Sequence, residues 1–172
     1  MKTLENFKIN NKKIIFRADL NVPVTEGEIT DHSRIDSIIP SIKLLNSNNN
    51  KIFIIAHFGR PSGVVSEKLS IKFLCEELRQ KINISKIHFL ETFNNEKIKK
   101  KISEMDDGEI CLFENIRFIE SEEKNDLEFS KNISSNFDFF INDAFSASHR
   151  NHASIVGIPK FLPSLAGLSF NA

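Results

Sequence analysis

Two hydrophobic rhythms alternate along this 172-residue chain. Short unbroken apolar runs at 12–17 (K-K-I-I-F-R), 51–56 (K-I-F-I-I-A), 86–90, 109–113 and 138–142 (D-F-F-I-N) predict strands buried on both faces. Between them apolar positions recur at helical spacing. Ile35, Ile38, Ile39, Ile42 and Leu45 mark a helix from Asp31, with Asp31 or Ser33 as N-cap and a kink or split expected at Pro40. Further helices are expected from Ser70 to about Ile82, over 94–105, and from about Asn125 to Phe137, the last following a long polar loop. Five strand–helix alternations predict an α/β, Rossmann-like three-layer domain with a parallel sheet of about six strands. No repeat, low-complexity linker or composition break interrupts the pattern, so 1–172 is read as a single domain.

Composition narrows the function classes. Lys plus Arg and Asp plus Glu both number 23, giving no global field to gather nucleic acid or an anionic membrane, so any anion site must be local. The basic run K-I-K-K-K at 97–101 stands between Glu96 and Glu104 without aromatic neighbours, and reads as a solvated helix face. Cys75 and Cys111 sit in apolar patterns and are expected to be buried as small hydrophobes. The first ten residues contain no signal-like apolar segment, and the expected location is the cytoplasm.

Against this neutral background arginine is used sparingly, 6 residues against 17 Lys. Arg34, Arg60, Arg117 and Arg150, with His57, all fall where an apolar run gives way to a loop or at the start of the helix beyond. In a parallel sheet such strand-end loops converge on one edge and build the ligand site. A guanidinium fork matches phosphate and carboxylate two bonds at a time, so the expected ligand is a small phosphorylated or carboxylated anion. Arg17, inside a strand, is read as structural. Glu114, Asn115, Asn142 and Asp143 are read as helix caps and loop ties.

Other chemistries lack their residues. Neither G-x-G-x-x-G nor G-x-x-x-x-G-K-[ST] occurs. His149 and His152 beside Asp143 do not make a zinc pattern, and no nucleophile pairs with a histidine for acyl transfer.

The motifs R-A-D-L-N-V-P, D-H-S-R-I, A-H-F-G-R-P, L-F-E-N-I-R-F, N-D-A-F-S-A-S-H-R-N-H-A-S and L-P-S-L-A-G stand in one order and spacing. Together they resemble the N-terminal, substrate-binding half of phosphoglycerate kinases, from about residue 4 to residue 168. The chain departs from the family's usual residues at Leu20 (Phe), at Ala56 and Phe58 (Ser and Leu) and at Ser146–Ser148 (Gly-Thr-Ala). The resemblance implies reversible phosphoryl transfer between 1,3-bisphosphoglycerate and ADP, giving 3-phosphoglycerate and ATP. It puts Asp19 and Asn21 at the hydroxyl and carboxyl end of 3-phosphoglycerate. It would put Arg34 beside the carboxyl oxygen that exchanges the phosphoryl group, as the catalytic residue. By the same resemblance His57, Arg60, Arg117 and Arg150 would surround the ligand, the three arginines mainly at its 3-phosphate. Leu20, Phe58 and Gly59 would supply loop backbone and shape. ATP or ADP with Mg²⁺ would be held by the family's C-terminal half, which lies outside this sequence. On that footing the chain alone is expected to be inactive, the full-length protein monomeric, and nucleic acid and membrane not to be partners. The alternative is a non-catalytic binding module for small phosphorylated acids.

Overall fold

The computed structural model describes residues 2–171. Its main sheet has six strands in the order β5-β6-β4-β1-β7-β8, all parallel. They are β1 (Lys13–Arg17), β4 (Lys51–Ile55), β5 (His88–Leu90), β6 (Ile110–Phe113), β7 (Phe139–Asn142) and β8 (Ser164–Ala166). A small antiparallel hairpin, β2 (Val24–Thr25) and β3 (Glu28–Ile29), stands apart. Its two central residues, Glu26 and Gly27, have φ of 52° and 78°, the signature of a tight hairpin turn with both residues left-handed.

Alternation along the strands divides the interior in two. Ile14, Phe16, Ile52, Ile54, Ile110 and Leu112 pack with α1 (Ser33–Ser47) and α2 (Leu74–Ile82) through Ile35, Ile38, Ile42, Leu74 and Leu78. Ile15, Phe53, Ile55, Cys111, Phe113 and Phe140 form the opposite layer, with Ile98 of α3 (Asn95–Glu104) and Ile133 of α5 (Leu127–Ser134). Phe53 anchors that layer, its ring 5.5 Å from Phe113 and 5.2 Å edge-on from Phe137. Burial on both faces is why the strands read as unbroken apolar runs.

Several expectations need correction. Pro40 neither splits nor ends α1, which is continuous from Ser33 to Ser47. The proline lies on the exposed side, where the carbonyl it leaves without a donor can be hydrated. The N-cap of α1 is His32, not Asp31 or Ser33; the Asp31 carboxylate instead accepts the Ser33 amide at 2.9 Å. The second helix begins at Leu74 because Ser70 ends a 3₁₀ turn, Glu67–Leu69, and its hydroxyl is committed to Glu114. Asn94 caps α3, accepting the Lys97 amide. The helix expected over 125–137 is the shorter α5, capped by Asp126. The long polar loop before it contains a 3₁₀ turn, Ile116–Phe118, and α4 (Glu120–Glu123). Cys111 is buried as expected, whereas Cys75 is half-buried. Burial pushes their thiols up, to about 12 and about 11 respectively. In the 97–101 run Lys97, Lys99 and Lys100 are exposed while Ile98 is buried, and Lys99 and Lys101 pair to Glu96 and Glu104. No described helix is long and apolar enough to cross a membrane.

A π-helical turn, Ala153–Gly157, packs against α5. A Cβ at Gly157 would stand 2.3 Å from Ser130 Oγ and 2.7 Å from Asn125 Oδ1. Gly157→Ala is therefore expected to lower the unfolding free energy by about 1–3 kcal/mol, the range for overpacking a closed interior. Urea denaturation of the two proteins measures it.

Candidate functional site

The four adjacent strands β6, β4, β1 and β7 end at Phe113, Ile55, Arg17 and Asn142, and the loops leaving these ends carry the converging polar groups. Hydrogen bonds connect them into one assembly. Arg34, at the first turn of α1, reaches back to the β1 loop, its Nη1 donating to the Asn21 carbonyl at 2.6 Å and to Asp19 Oδ1 at 3.4 Å. Asn21 Oδ1 accepts the Gly59 amide at 3.0 Å, tying the β1 loop to the β4 loop. The Gly59 carbonyl accepts from Arg117 Nη1 at 3.2 Å, adding the β6 loop. Ser146 donates its hydroxyl to Asp19 Oδ2 and brings in the loop after β7.

Gly59 is the pivot of this arrangement. Its φ is +63°, and a Cβ there would meet Leu69 Cδ2 at 2.7 Å. Asn115 holds the same loop by both ends of its amide: Oδ1 accepts the Phe58 and Arg117 amides, and Nδ2 donates to the Phe58 and Leu69 carbonyls. Glu114 accepts the Ile71 and Asn115 amides and the Ser70 hydroxyl. Asn142 accepts the Ala144 amide, and Asp143 accepts the Ser169 amide and hydroxyl. These four residues tie loops, as their sequence positions suggested.

Among the expected contact residues, Leu20 is fully buried in the core, so its side chain is unavailable to a ligand and only its backbone belongs to the loop. Phe58 turns its ring edge-on to Phe73 at 5.6 Å. Arg60 is exposed, Arg150 half-buried and Arg117 buried. Burial lowers the Arg117 pKa most, and the nearby like charges Arg150 and Arg60 lower it further.

Arg17 is fully buried with no solvent exposure. Its Nη1 donates to the Ala18 carbonyl, its Nε to Ser154 Oγ at 2.8 Å, and its Nη2 meets His57 Nδ1 at 2.9 Å. A guanidinium can only donate, so Nδ1 must be the acceptor. The His57 proton therefore sits on Nε2. Burial first, then Arg17, Arg117 and Arg150, push the His57 pKa down to about 2, and the ring is neutral. It offers the site a single N–H donor.

Several donors here are unmatched. Among the described residues, Arg117 Nε and Nη2 and Arg150 Nε are buried without an acceptor. An unpaired buried donor costs about 1–3 kcal/mol, and more when charged. Nε and Nη2 form the side-on fork of the Arg117 guanidinium, the edge that matches two oxygens of a phosphate or carboxylate. With His57 Nε2–H and Arg60, this edge of the sheet is cationic and donor-rich. No group of three or more acidic, His or Cys side chains among the described residues could hold a metal ion. An apolar groove lined by Leu4, Phe7, Leu44 and Leu45 contains none of these arginines.

Sequence reasoning missed Ser146, Ser154 and Glu122. Glu122 in the run E-S-E-E gives no signal of its burial, and small serines in a loop give none of their partners.

A model of the family described as "Phosphoglycerate kinase" matches residues 4–172. The phosphoglycerate kinase of Brucella melitensis biotype 1 is 42% identical over 171 residues, covering 99% of this chain and 43% of that protein. That of Wolbachia sp. subsp. Drosophila simulans is 45% identical over 165 residues, 96% of this chain and 41% of its own length. Among solved structures, the Coxiella burnetii enzyme superposes with a TM-score of 0.86 at 29% identity, over 98% of this chain and 42% of the other. The Pyrococcus horikoshii OT3 enzyme gives 0.87 at 29% identity, over 99% and 43%. The chain thus spans less than half the length of the relatives it matches.

The depressed His57 pKa makes stability pH-dependent. The unfolded ring binds a proton near pH 6.5 and the folded ring only near 2, so its contribution is full above 6.5 and is lost as pH falls through that window. His57→Gln should flatten the decline of unfolding free energy between pH 6 and 4 by about 1.4 kcal/mol per pH unit. Urea titrations at a series of pH values measure the difference.

Proposed function

The chain belongs to the phosphoglycerate kinase family, and from that membership we propose that its strand-end loops hold 3-phosphoglycerate, or 1,3-bisphosphoglycerate in the reverse direction, for phosphoryl exchange with ADP or ATP. The observation that carries this reading is the unpaired side-on fork of Arg117 beside the buried Nε of Arg150 and the His57 N–H. The substrate bears about three negative charges near neutral pH, and charge-assisted bonds to such groups are the strong ones.

Within this reading Arg60, Arg117 and Arg150 grip the 3-phosphate. Asp19 and Asn21 face the hydroxyl and carboxyl end, Asp19 selecting a ligand that can donate to a carboxylate. Arg34 stands at that same end, already held by the Asn21 carbonyl. Transfer is direct and in-line, so the chain's part is positioning and charge stabilisation, and no protein nucleophile is required. The described residues do not fit a metal site, and the nucleotide with its metal is assigned to parts of the protein outside this chain.

Titration calorimetry with 3-phosphoglycerate tests the grip. Arg60→Ala, Arg117→Ala and Arg150→Ala should each weaken binding by roughly ten- to a hundredfold, one charge-assisted bond each. Arg79, which pairs with Glu76 on α2, is the control, and Arg79→Ala should bind normally. Equal loss in all four variants would remove the site from this edge.

Arg34 separates from that set. In a full-length enzyme reconstituted around this chain, Arg34→Ala should cut kcat by on the order of a hundredfold, as loss of a preorganised charge does. Arg34→Lys should recover only part, because an ammonium cannot reproduce the planar fork. Steady-state kinetics showing normal kcat with a raised KM would make Arg34 an ordinary substrate ligand.

A further inference from the structure

Glu122 is a carboxylate with no solvent exposure in a segment that reads as polar surface, and its surroundings give the burial a purpose. Both its oxygens accept from Ser154, Oε1 from the amide at 2.7 Å and Oε2 from the hydroxyl. That hydroxyl, having donated its only proton to Glu122, presents a lone pair to Arg17 Nε at 2.8 Å. The direction of every proton in the row is therefore fixed: Arg17 to Ser154, Ser154 to Glu122. On the same edge of the guanidinium, Nη2 donates to His57 Nδ1.

A fully buried guanidinium needs a counter-charge, because an uncompensated ion in the interior costs several kcal/mol. Two carboxylates lie near enough to matter. Burial pulls the Arg17 pKa down, and Glu122 is the largest opposing influence, ahead of Asp19. Asp19 is already occupied by the Asn21 amide, Arg34 and Ser146. The remaining charged neighbours, Arg117 and Arg150, repel Arg17. His152 Nδ1 lies 3.9 Å from Glu122 Oε2.

We propose that Ser154 and Glu122 are positioning residues for the anion site, a buried relay that anchors Arg17 and through it holds His57 in the tautomer whose Nε2–H faces the ligand. The alternative tautomer would aim a lone pair at an anion and repel it. Neither residue touches the ligand, and both act from the layer beneath. The inference rests on reading this edge as the 3-phosphoglycerate site, but its first measurement does not need the ligand.

Nitrogen NMR of the ligand-free protein at pH 7 should show His57 neutral with its proton on Nε2; a proton on Nδ1 overturns the relay outright. In Ser154→Ala the His57 nitrogen shifts should move toward a tautomer mixture, and 3-phosphoglycerate affinity should fall about tenfold, the loss of one charge-assisted bond. Glu122→Gln keeps the volume and an acceptor for the Ser154 amide while deleting the charge, and should give a smaller change in both readouts. A folded Ser154→Ala protein with unmoved His57 shifts would overturn the proposal, even with weakened binding, since the role would then be structural only. Should Ser154→Ala not fold, Glu122→Gln and the wild-type tautomer decide by the same criteria. Shifts that move as expected in a protein that never binds 3-phosphoglycerate would keep the relay and remove the substrate reading.

Discussion

A cation with no solvent exposure at the carboxyl end of the central strand is the constraint around which this edge of the molecule is built. Arg17 occupies the position where β1 leaves the sheet, flanked by β4 on one side and β7 on the other. Every donor it carries must be met by an acceptor from the protein, since water does not reach it. The Ala18 carbonyl, Ser154 and His57 supply three such acceptors, drawn from three stretches of chain far apart in sequence. The π-helical turn after residue 152 and the short α4 helix are thereby fixed relative to the central strand. The loops that carry the remaining arginines are fixed with them.

A second consequence is electrostatic. Arg17, Arg117 and Arg150 repel one another, and burial disfavours the charged form of the first two. A protein that keeps like charges this close in its interior is spending stability on a site, the trade expected where function and packing compete. The neutral His57 ring fits the same logic. Another full charge there would add to the repulsion, whereas an oriented N–H contributes a donor without it.

Much of this was legible in the sequence because the signals were local. The unbroken apolar runs disclosed five strands, and their ends disclosed where Arg34, His57, Arg60, Arg117 and Arg150 would gather. What escaped depends on partners remote in sequence. Ser164–Ala166 is too short to carry a pattern and becomes a strand only because Asn142 and its neighbours offer a ladder. Pro40 spares its helix because of which side it faces, which a propensity cannot state. Leu20 sits between two site residues yet is buried in the core, which its position among polar neighbours does not disclose. Glu122 looks like its exposed neighbours until Ser154, 32 residues away, is folded against it.

The outer edge of β8 is closed by the first described residues. Ala166 donates to the Lys2 carbonyl at 2.9 Å and accepts the Leu4 amide at 3.1 Å, with Thr3 bridged to it in parallel. An uncovered sheet edge is a template for pairing with another molecule. Those few residues therefore act as a guard on solubility as well as a stitch in the fold. Trimming them, or pulling them outward with a bulky fusion, would leave β8 free to recruit a strand from a neighbour and turn a shielded border into a seed for aggregation.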